Sequence, residues 1–89
     1  MRVIHKYPIE LALNFTVEMP KTAVFLSVQV QRNSPQMWML VDPDIRLVKR
    51  RFCVVTTGQT LPDQCLLYLG TFLLDEGSFV GHLFELKAE

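Results

Sequence analysis

The chain has 89 residues, with nine basic and nine acidic side chains, so it carries no net charge when its histidines are neutral. A chain this short forms one domain, residues 1–89, with a core of modest size. The charge balance argues against nucleic acid as the main partner. Hydrophobic residues make up 49% of the chain, and we expect the excess apolar surface to lie in a core, a ligand pocket or a subunit interface.

The first ten residues, MRVIHKYPIE, carry a charge at position 2 and lack the uninterrupted apolar stretch of a signal peptide. No segment approaches the roughly 20 apolar residues of a membrane-spanning helix. We therefore expect a cytoplasmic protein without a membrane partner. In that compartment Cys53 and Cys65 are expected to be reduced thiols that fill space on strands.

The phase of the apolar alternation changes near Pro20. Apolar residues fall on odd numbers up to Met19 and on even numbers from Val24 onward. Because successive side chains of a strand point to opposite faces, this change predicts a hairpin that turns at residues 20–23. Its buried face is expected to pair Met19 with Val24 and Val17 with Leu26.

A second hairpin is predicted at RNSP, residues 32–35, which has the composition of a four-residue loop. This turn places Val28 opposite Met39 and Val30 opposite Met37. The two methionines therefore join the buried face.

The same register puts Trp38 and Leu40 on the other face, opposite Gln29 and Ser27. A tryptophan exposed beside an aliphatic residue is typical of an interface anchor. Burial beneath a second layer accounts for the pattern equally well, so both interpretations stay open.

The third predicted hairpin turns at DEGS, residues 75–78, after a strand and a loop that span residues 45–64. The pairs expected on one of its faces are Leu67 with Leu86, Leu69 with Phe84, Thr71 with His82 and Leu73 with Val80. The other face is also apolar, and we expect a second subunit to cover it. The interface residues predicted there are Tyr68, Phe72, Leu74, Phe79 and Leu83.

These segments predict six or seven strands and no long helix. We expect an all-β fold, a small antiparallel sandwich or barrel built from hairpins. The sequence contains no G-x-S-x-G, H-E-x-x-H, P-loop or C-x-x-C motif. We therefore expect neither an enzyme nor a protein with a metal or other cofactor.

Polar residues suggest one candidate ligand site. His82 is either a core histidine bonded to a neighbouring hydroxyl or a polar anchor in a ligand pocket. The loop TTGQT offers hydroxyl and backbone N–H groups, and the KRR cluster offers cations for a phosphate or an acidic partner. The candidate ligand-binding residues are Arg50, Arg51, Thr56, Thr57, Gly58, Thr60 and His82.

Several of these stretches carry a family resemblance. They are VIHKYPI, MPKTAVFLSVQVQ, MWMLVDP, RRFCVVTTGQTLP and YLGTFLLDEGSFVGHLFE, which together span nearly the whole chain. The chain resembles a family of small uncharacterised proteins encoded mainly by bacteriophages. The resemblance implies a short phage accessory protein that works in the cytoplasm of an infected bacterium.

Two classes of function follow as expectations. The first is a non-enzymatic binding protein, a homo-oligomer, that inhibits a host defence factor by binding it or by sequestering its signalling nucleotide. The second is a structural or assembly component of the virion. A nucleic-acid-binding role ranks below both, because the cations are few and the charge is balanced.

Overall fold

The computed structural model describes residues 1–64 and 66–87, which form seven β-strands. The strands are β1 (Val3–Pro8), β2 (Phe15–Pro20), β3 (Val24–Gln31), β4 (Ser34–Val41), β5 (Leu47–Thr56), β6 (Leu66–Leu74) and β7 (Phe79–Leu86). They build two antiparallel sheets, in the orders β1-β4-β3 and β2-β5-β7-β6. The predicted all-β sandwich class is confirmed. Cys65 lies outside the described residues.

Four of the strands form one long hairpin that bends from one sheet into the other. Near its tip β3 pairs with β4, and beyond the bend β2 pairs with β5, where Phe15 lies opposite Phe52. Within the bend, the N–H of Lys21 donates to the carbonyl of Arg46 over 3.0 Å, so the pairing continues through it. The hairpin predicted at residues 20–23 is therefore wrong, because β2 and β3 lie in different sheets.

The bend arises because its two chain segments differ in length. Only residues 21–23 connect β2 to β3, whereas residues 42–46 connect β4 to β5. The longer segment contains a turn in which the N–H of Asp44 donates to Oδ1 of Asp42 over 3.0 Å. A ribbon with one longer side must curve towards its shorter side, and this curvature redirects the chain into the second layer.

A β-bulge at Leu26 accounts for the change of phase seen in the sequence. The register of β3 against β4 shifts between Phe25 and Ser27, which leaves Leu26 as an extra residue. An extra residue reverses the side-chain phase of the strand. Phe25 before the bulge and Val28 after it both pack against the core. Val24 and Leu26, predicted as buried, are instead 55% and 45% exposed.

The turn between β3 and β4 is shorter than predicted. It consists of Arg32 and Asn33, whose φ angles of 53° and 61° are the positive values that a two-residue type I′ turn requires. The last two residues of the predicted four-residue loop belong to β4. Val28 consequently lies opposite Met37 rather than Met39. The predicted register of β3 against β4 is wrong by two residues. Because side chains alternate between faces with a period of two residues, the buried face of β4 is nevertheless the predicted one.

The β6–β7 hairpin turns through a short 3₁₀ segment, Asp75–Gly77. Two of its predicted pairs are confirmed, since Leu73 lies opposite Val80 and Thr71 opposite His82. In the part of the chain that the structure describes, no helix is long and apolar enough to cross a bilayer.

A second bulge, at Leu69, separates these pairs from the rest of the hairpin. Beyond it the predicted pairs of Leu69 with Phe84 and of Leu67 with Leu86 are wrong, and Phe84 lies opposite Tyr68 instead. The bulge therefore turns Tyr68, which is 56% exposed, towards the outer face of its sheet.

The core fills the space between the two sheets. Its fully buried side chains include Met19, Met37, Met39, Phe52 and Leu83. Burial of each such side chain contributes about 1.5–3 kcal/mol to the free energy of folding. Most of the core is therefore supplied by the bent hairpin, and β6 and β7 complete it.

The apolar face that the sequence assigned to a second subunit lies largely in this core. Phe72, Leu74 and Leu83 are 3%, 6% and 0% exposed, and Phe79 packs against them from the rim. The three-stranded sheet covers them, so they are not available to a partner. Tyr68 is the exposed member of the predicted set.

The tips of the two hairpins are linked by one side chain. The amide nitrogen of Asn33 donates to Oδ1 of Asp75 over 2.7 Å, and the backbone N–H of Asp75 donates to Oδ1 of Asn33 over 2.8 Å. Arg32, Asn33, Asp75 and Glu76 all have positive φ, between 52° and 61°. The link thus joins two turns in which the backbone is left-handed.

Candidate functional site

The outer face of the three-stranded sheet carries an apolar patch centred on Trp38. Trp38 lies between Lys6 of β1 and Ser27 of β3, and Leu40 lies between Ile4 and Val24. Ile4 and Val24 are 62% and 55% exposed, while Trp38 and Leu40 are half-buried. We call Ile4, Lys6, Val24, Trp38 and Leu40 the Trp38 face.

The alternation of β4 explains why Trp38 points outward. Met37, Met39 and Val41 are buried against the second sheet, so Trp38 and Leu40 must lie on the opposite side. The same alternation predicts this placement from the sequence. Trp38 lies opposite Ser27 rather than Gln29 because the turn of this hairpin contains two residues rather than four. The bulge at Leu26 shifts the register once more, so Leu40 lies opposite Val24 rather than Ser27.

A basic cavity of about 470 Å³ adjoins the Trp38 face. It is lined by Lys6, Gln31, Arg32 and Ser34, which include two cations and no acidic side chain. The ammonium of Lys6 donates to Oε1 of Gln31 over 2.7 Å and lies 5.6 Å from the centre of the Trp38 ring. This arrangement can hold an anionic group beside an aromatic surface.

A second polar cluster surrounds His82 on the outer face of the four-stranded sheet. Its Nε2 lies 2.8 Å from the hydroxyl of Thr57, and its Nδ1 lies 2.9 Å from the hydroxyl of Thr71. The Thr71 hydroxyl is also bonded to that of Tyr68, whose ring packs on Phe84 with centroids 5.4 Å apart. A neutral imidazole donates through one nitrogen and accepts through the other, so these hydroxyls satisfy both.

The loop that contains Thr57 is closed by its own hydrogen bonds. The backbone N–H of Thr56 donates to Oε1 of Gln59 over 2.9 Å, and the N–H of Gln59 donates to the carbonyl of Thr56 over 3.0 Å. Gly58 has a φ of 89°, which suits this tight turn. Thr60 is exposed beyond it. The N–H of Thr56, one of the groups predicted to bind a ligand, is thus already hydrogen-bonded within the loop.

Arg50, another predicted ligand-binding residue, forms an ion pair with Glu85. Its Nε and Nη2 donate to the two carboxylate oxygens over 2.7 and 2.9 Å, and its Nη1 donates to the carbonyl of Ala23 over 2.7 Å. The two side chains are 19% and 6% exposed. The guanidinium therefore joins β5, β7 and the bend, and its donors face the protein rather than a ligand.

Two opposing effects act on the pKa of Glu85. Burial raises it, while the hydrogen bond and charge of Arg50, together with Lys87 at 3.6 Å, lower it. The cations prevail, so the pKa lies below its ordinary value and the carboxylate stays ionised near neutral pH. Burial alone acts on Cys53, a free thiol that is fully buried, and raises its pKa.

The predicted ligand residues fall into two separate groups. Thr57 and His82 meet at one end of β5, whereas Arg50 and Arg51 lie near its middle, about 17–20 Å from Thr56 along the extended strand. Arg51 is exposed on the outer face, opposite to Arg50, as the alternation predicts. The structure does not assemble these residues into a single site.

Sequence reasoning missed the residues that line the basic cavity. Lys6 and Arg32 lie 26 positions apart in the sequence and meet only because β1 pairs with β4 next to β3. The one indication of this cavity in the sequence was Arg32, a basic residue at the predicted turn of a hairpin. Across residues 1–64 and 66–87, no group of three or more His, Cys, Asp or Glu side chains is placed to hold a metal ion.

A model of the family described as "Domain of unknown function (DUF7352)" matches residues 1–89. The chain belongs to the DUF7352 family. No curated protein and no solved structure matches the chain. The DUF7352 match covers the whole sandwich, so both the Trp38 face and the His82 cluster lie within the family's domain.

Proposed function

We propose that the chain is a non-enzymatic binding module that docks a protein partner on the Trp38 face. The observation that carries this proposal is the exposed apolar patch around Trp38, with a basic cavity at its border. Tryptophan anchors dominate the binding energy of many interfaces. The cations of the cavity, Lys6 and Arg32, fit a partner that presents an acidic side chain next to an apolar one.

The resemblance to phage-encoded proteins gives this module a biological setting. In that setting it is a phage accessory protein in the cytoplasm of the host, and its partner is a host protein of the antiphage defence. Binding through a flat sheet face needs no catalytic group, because inhibition follows from covering a surface of the partner.

The test replaces the anchor and measures binding to an identified partner. Protein captured by the wild-type chain in bacterial cells is identified by mass spectrometry, purified separately and titrated calorimetrically. Trp38→Ser/Leu40→Ser is expected to weaken binding by at least about 30-fold, the effect of losing a hot spot of 2 kcal/mol or more.

The matched control is Leu47→Ser. Leu47 is 58% exposed and lies on the four-stranded sheet, so its substitution removes exposed apolar surface away from the Trp38 face. Its affinity for the partner is expected to equal that of the wild type. Equal affinity for the Trp38→Ser/Leu40→Ser variant would contradict the proposal.

The basic cavity favours a second candidate function, the sequestration of a signalling nucleotide. A phosphate would contact Lys6 and Arg32, and a base would stack on Trp38. Nucleotides of this class are then expected to raise the melting temperature of the wild type but not of Lys6→Glu. Heat-extracted protein that releases no nucleotide, together with unchanged melting temperatures, would exclude this function.

A virion component and a nucleic-acid-binding protein remain as further hypotheses. The first predicts the chain in purified phage particles, which mass spectrometry detects. The second predicts gel-shift complexes at low salt, which weaken as salt is raised.

A further inference from the structure

β1 lies at the edge of its sheet and leaves one side of its backbone unpaired. Among the described strands it pairs only with β4, through six consecutive residue pairs over Val3–Pro8. Its register contains no bulge, whereas the edge strands β3 and β6 are each interrupted by one. Five of its six residues are exposed and the sixth is half-buried. An uninterrupted and exposed edge of this kind can accept a further strand.

The hydrogen bond that follows β1 shows which backbone groups face the open edge. The N–H of Ile9 donates to the carbonyl of Pro35 over 3.0 Å, which continues the register of β1 against β4. In an antiparallel pair, hydrogen-bonded residues alternate with residues whose N–H and C=O point away from the partner strand. The odd-numbered residues of β1 therefore bond to β4, whereas Ile4 and Lys6 present their N–H and C=O groups to the open edge.

Pro8 marks the end of this open edge. It has the same phase as Ile4 and Lys6, so its missing N–H removes a donor from the open side and no bond to β4. Ile4 and Lys6 also belong to the Trp38 face, because residues of one phase share both a face and a hydrogen-bonding side. A strand added to β1 would therefore enlarge the Trp38 face.

The charge of this edge favours an acidic partner. Residues 1–8 contain two exposed cations, Arg2 and Lys6, and no acidic residue. The carboxylates that come next along the two paired strands, Glu10 and Asp42, lie beyond the ends of β1 and β4. The edge strand β2, which also has an unbroken register, carries the acidic residue Glu18 and so lacks this bias. Opposite charges on two binding surfaces select the right partner and disfavour the wrong one.

We propose that β1 accepts an extended acidic segment of the protein partner as a fourth strand of its sheet. Main-chain hydrogen bonds to Ile4 and Lys6 supply affinity, as in other cases of strand addition. The Lys6 ammonium now donates to a neutral acceptor, Oε1 of Gln31, over 2.7 Å. A carboxylate on the added strand replaces this acceptor, because charge-assisted hydrogen bonds are the stronger ones. The inference rests on the proposed function, since it states the conformation and charge of the segment that a partner of the Trp38 face contributes.

A peptide titration followed by amide-resolved NMR tests this strand addition. The probe is a synthetic hexapeptide of alternating glutamate and valine with both ends blocked, and the control peptide has lysine in place of glutamate. At saturation the glutamate peptide is expected to slow hydrogen exchange of the Ile4 and Lys6 amides by about tenfold or more. The His5 and Tyr7 amides, which already bond to β4, are expected to change little. The lysine peptide is expected to protect none of them.

Two variants at position 4 isolate the contribution of the backbone. Ile4→Ala removes the side chain and keeps the N–H, whereas Ile4→Pro removes both. Proline is tolerated on an edge strand where the N–H faces solvent, as Pro8 already does in this strand. Ile4→Pro is expected to bind the glutamate peptide about fivefold more weakly than Ile4→Ala, the effect of losing one hydrogen bond. Urea unfolding checks that both variants fold, and the exchange of the wild type depends on neither.

The proposal is overturned if the glutamate peptide leaves the Ile4 and Lys6 amides unprotected, or if both peptides act alike. It is also overturned if these amides become protected when the protein alone is concentrated, since a second copy would then occupy the edge. Protection by the glutamate peptide, together with unchanged partner binding in Trp38→Ser/Leu40→Ser, would contradict the proposed function and not the strand addition. The opposite pair of results would leave the Trp38 face as a docking surface without an added strand.

Discussion

Arg50 and Glu85 form a two-pronged ion pair at the point where β5, β7 and the bend of the long hairpin meet. The pair is largely buried, and the third donor of Arg50 holds the carbonyl of Ala23 in the bend. Removing one partner of a buried pair leaves the other as an uncompensated charge, which costs far more than the pair contributes.

Arg50→Met is therefore expected to lower the free energy of unfolding by about 3–5 kcal/mol. Urea denaturation measures this loss. The double variant Arg50→Met/Glu85→Leu is expected to lose much less than the sum of the single variants, because no buried charge remains. Lys49→Met, at an exposed neighbouring position, is the control and is expected to stay within about 0.5 kcal/mol of the wild type. Additive losses would show that the two side chains are not coupled.

The same pair predicts how stability depends on pH. The folded state holds the pKa of Glu85 below the ordinary value of 4.5, so the unfolded state binds the proton more readily. The stabilisation is then fully present above pH 4.5 and is lost as the pH falls through the lowered folded-state pKa. Unfolding free energies of the wild type and Glu85→Gln are expected to differ most near neutral pH and to converge in acid. A difference independent of pH would contradict this assignment.

The link between Asn33 and Asp75 predicts a local change in dynamics. Asn33→Gly keeps a residue that tolerates positive φ but removes both hydrogen bonds to Asp75. The amide of Asp75, which donates to the Asn33 side chain, is expected to exchange faster, while the stability falls by about 1 kcal/mol or less. Asn33→Ala also strains the turn and is expected to cost about 1–2 kcal/mol more. Unchanged exchange of the Asp75 amide in Asn33→Gly would mean that the link does not order this turn.

Close contact between Gly70 and Val28 predicts a cost for any added side chain. A Cβ at position 70 would lie 2.5 Å from Cγ1 of Val28 but 3.8 Å from its Cβ. Gly70→Ala is therefore expected to destabilise the fold by about 1–3 kcal/mol. In a Val28→Ala background, which removes the clashing methyl group, the same substitution is expected to cost little. Thermal or urea unfolding of the four chains completes this cycle, and equal costs in both backgrounds would refute the contact.

The sequence predicts side-chain faces better than it predicts neighbours. The alternation of β4 correctly buries Met37 and Met39 and turns Trp38 outward, because alternation depends only on the local strand. The pairing of β2 with β3 failed because two strands produce the same apolar pattern whether they lie in one sheet or face each other across a core. Nothing in residues 20–23 distinguishes a hairpin turn from a crossing between sheets.

Two further errors have a common physical origin in single inserted residues. The bulges at Leu26 and Leu69 reverse the side-chain phase; no glycine or proline adjoins Leu26, whereas Gly70 follows Leu69 directly. They therefore leave Val24 exposed and re-pair Phe84 with Tyr68. The Lys6–Arg32 cavity was missed for a different reason, since only tertiary pairing brings its two cations together.

The bend in the long hairpin also determines how the molecule comes apart. One arm of that hairpin contains β2 and β3, and the other contains β4 and β5, so each arm supplies one strand to each sheet. Neither sheet can therefore separate without pulling on strand pairs of the other sheet. Unfolding is consequently expected to be a single cooperative event in which neither layer persists without the other. A single proteolytic cut within residues 15–56 would for that reason weaken both layers together.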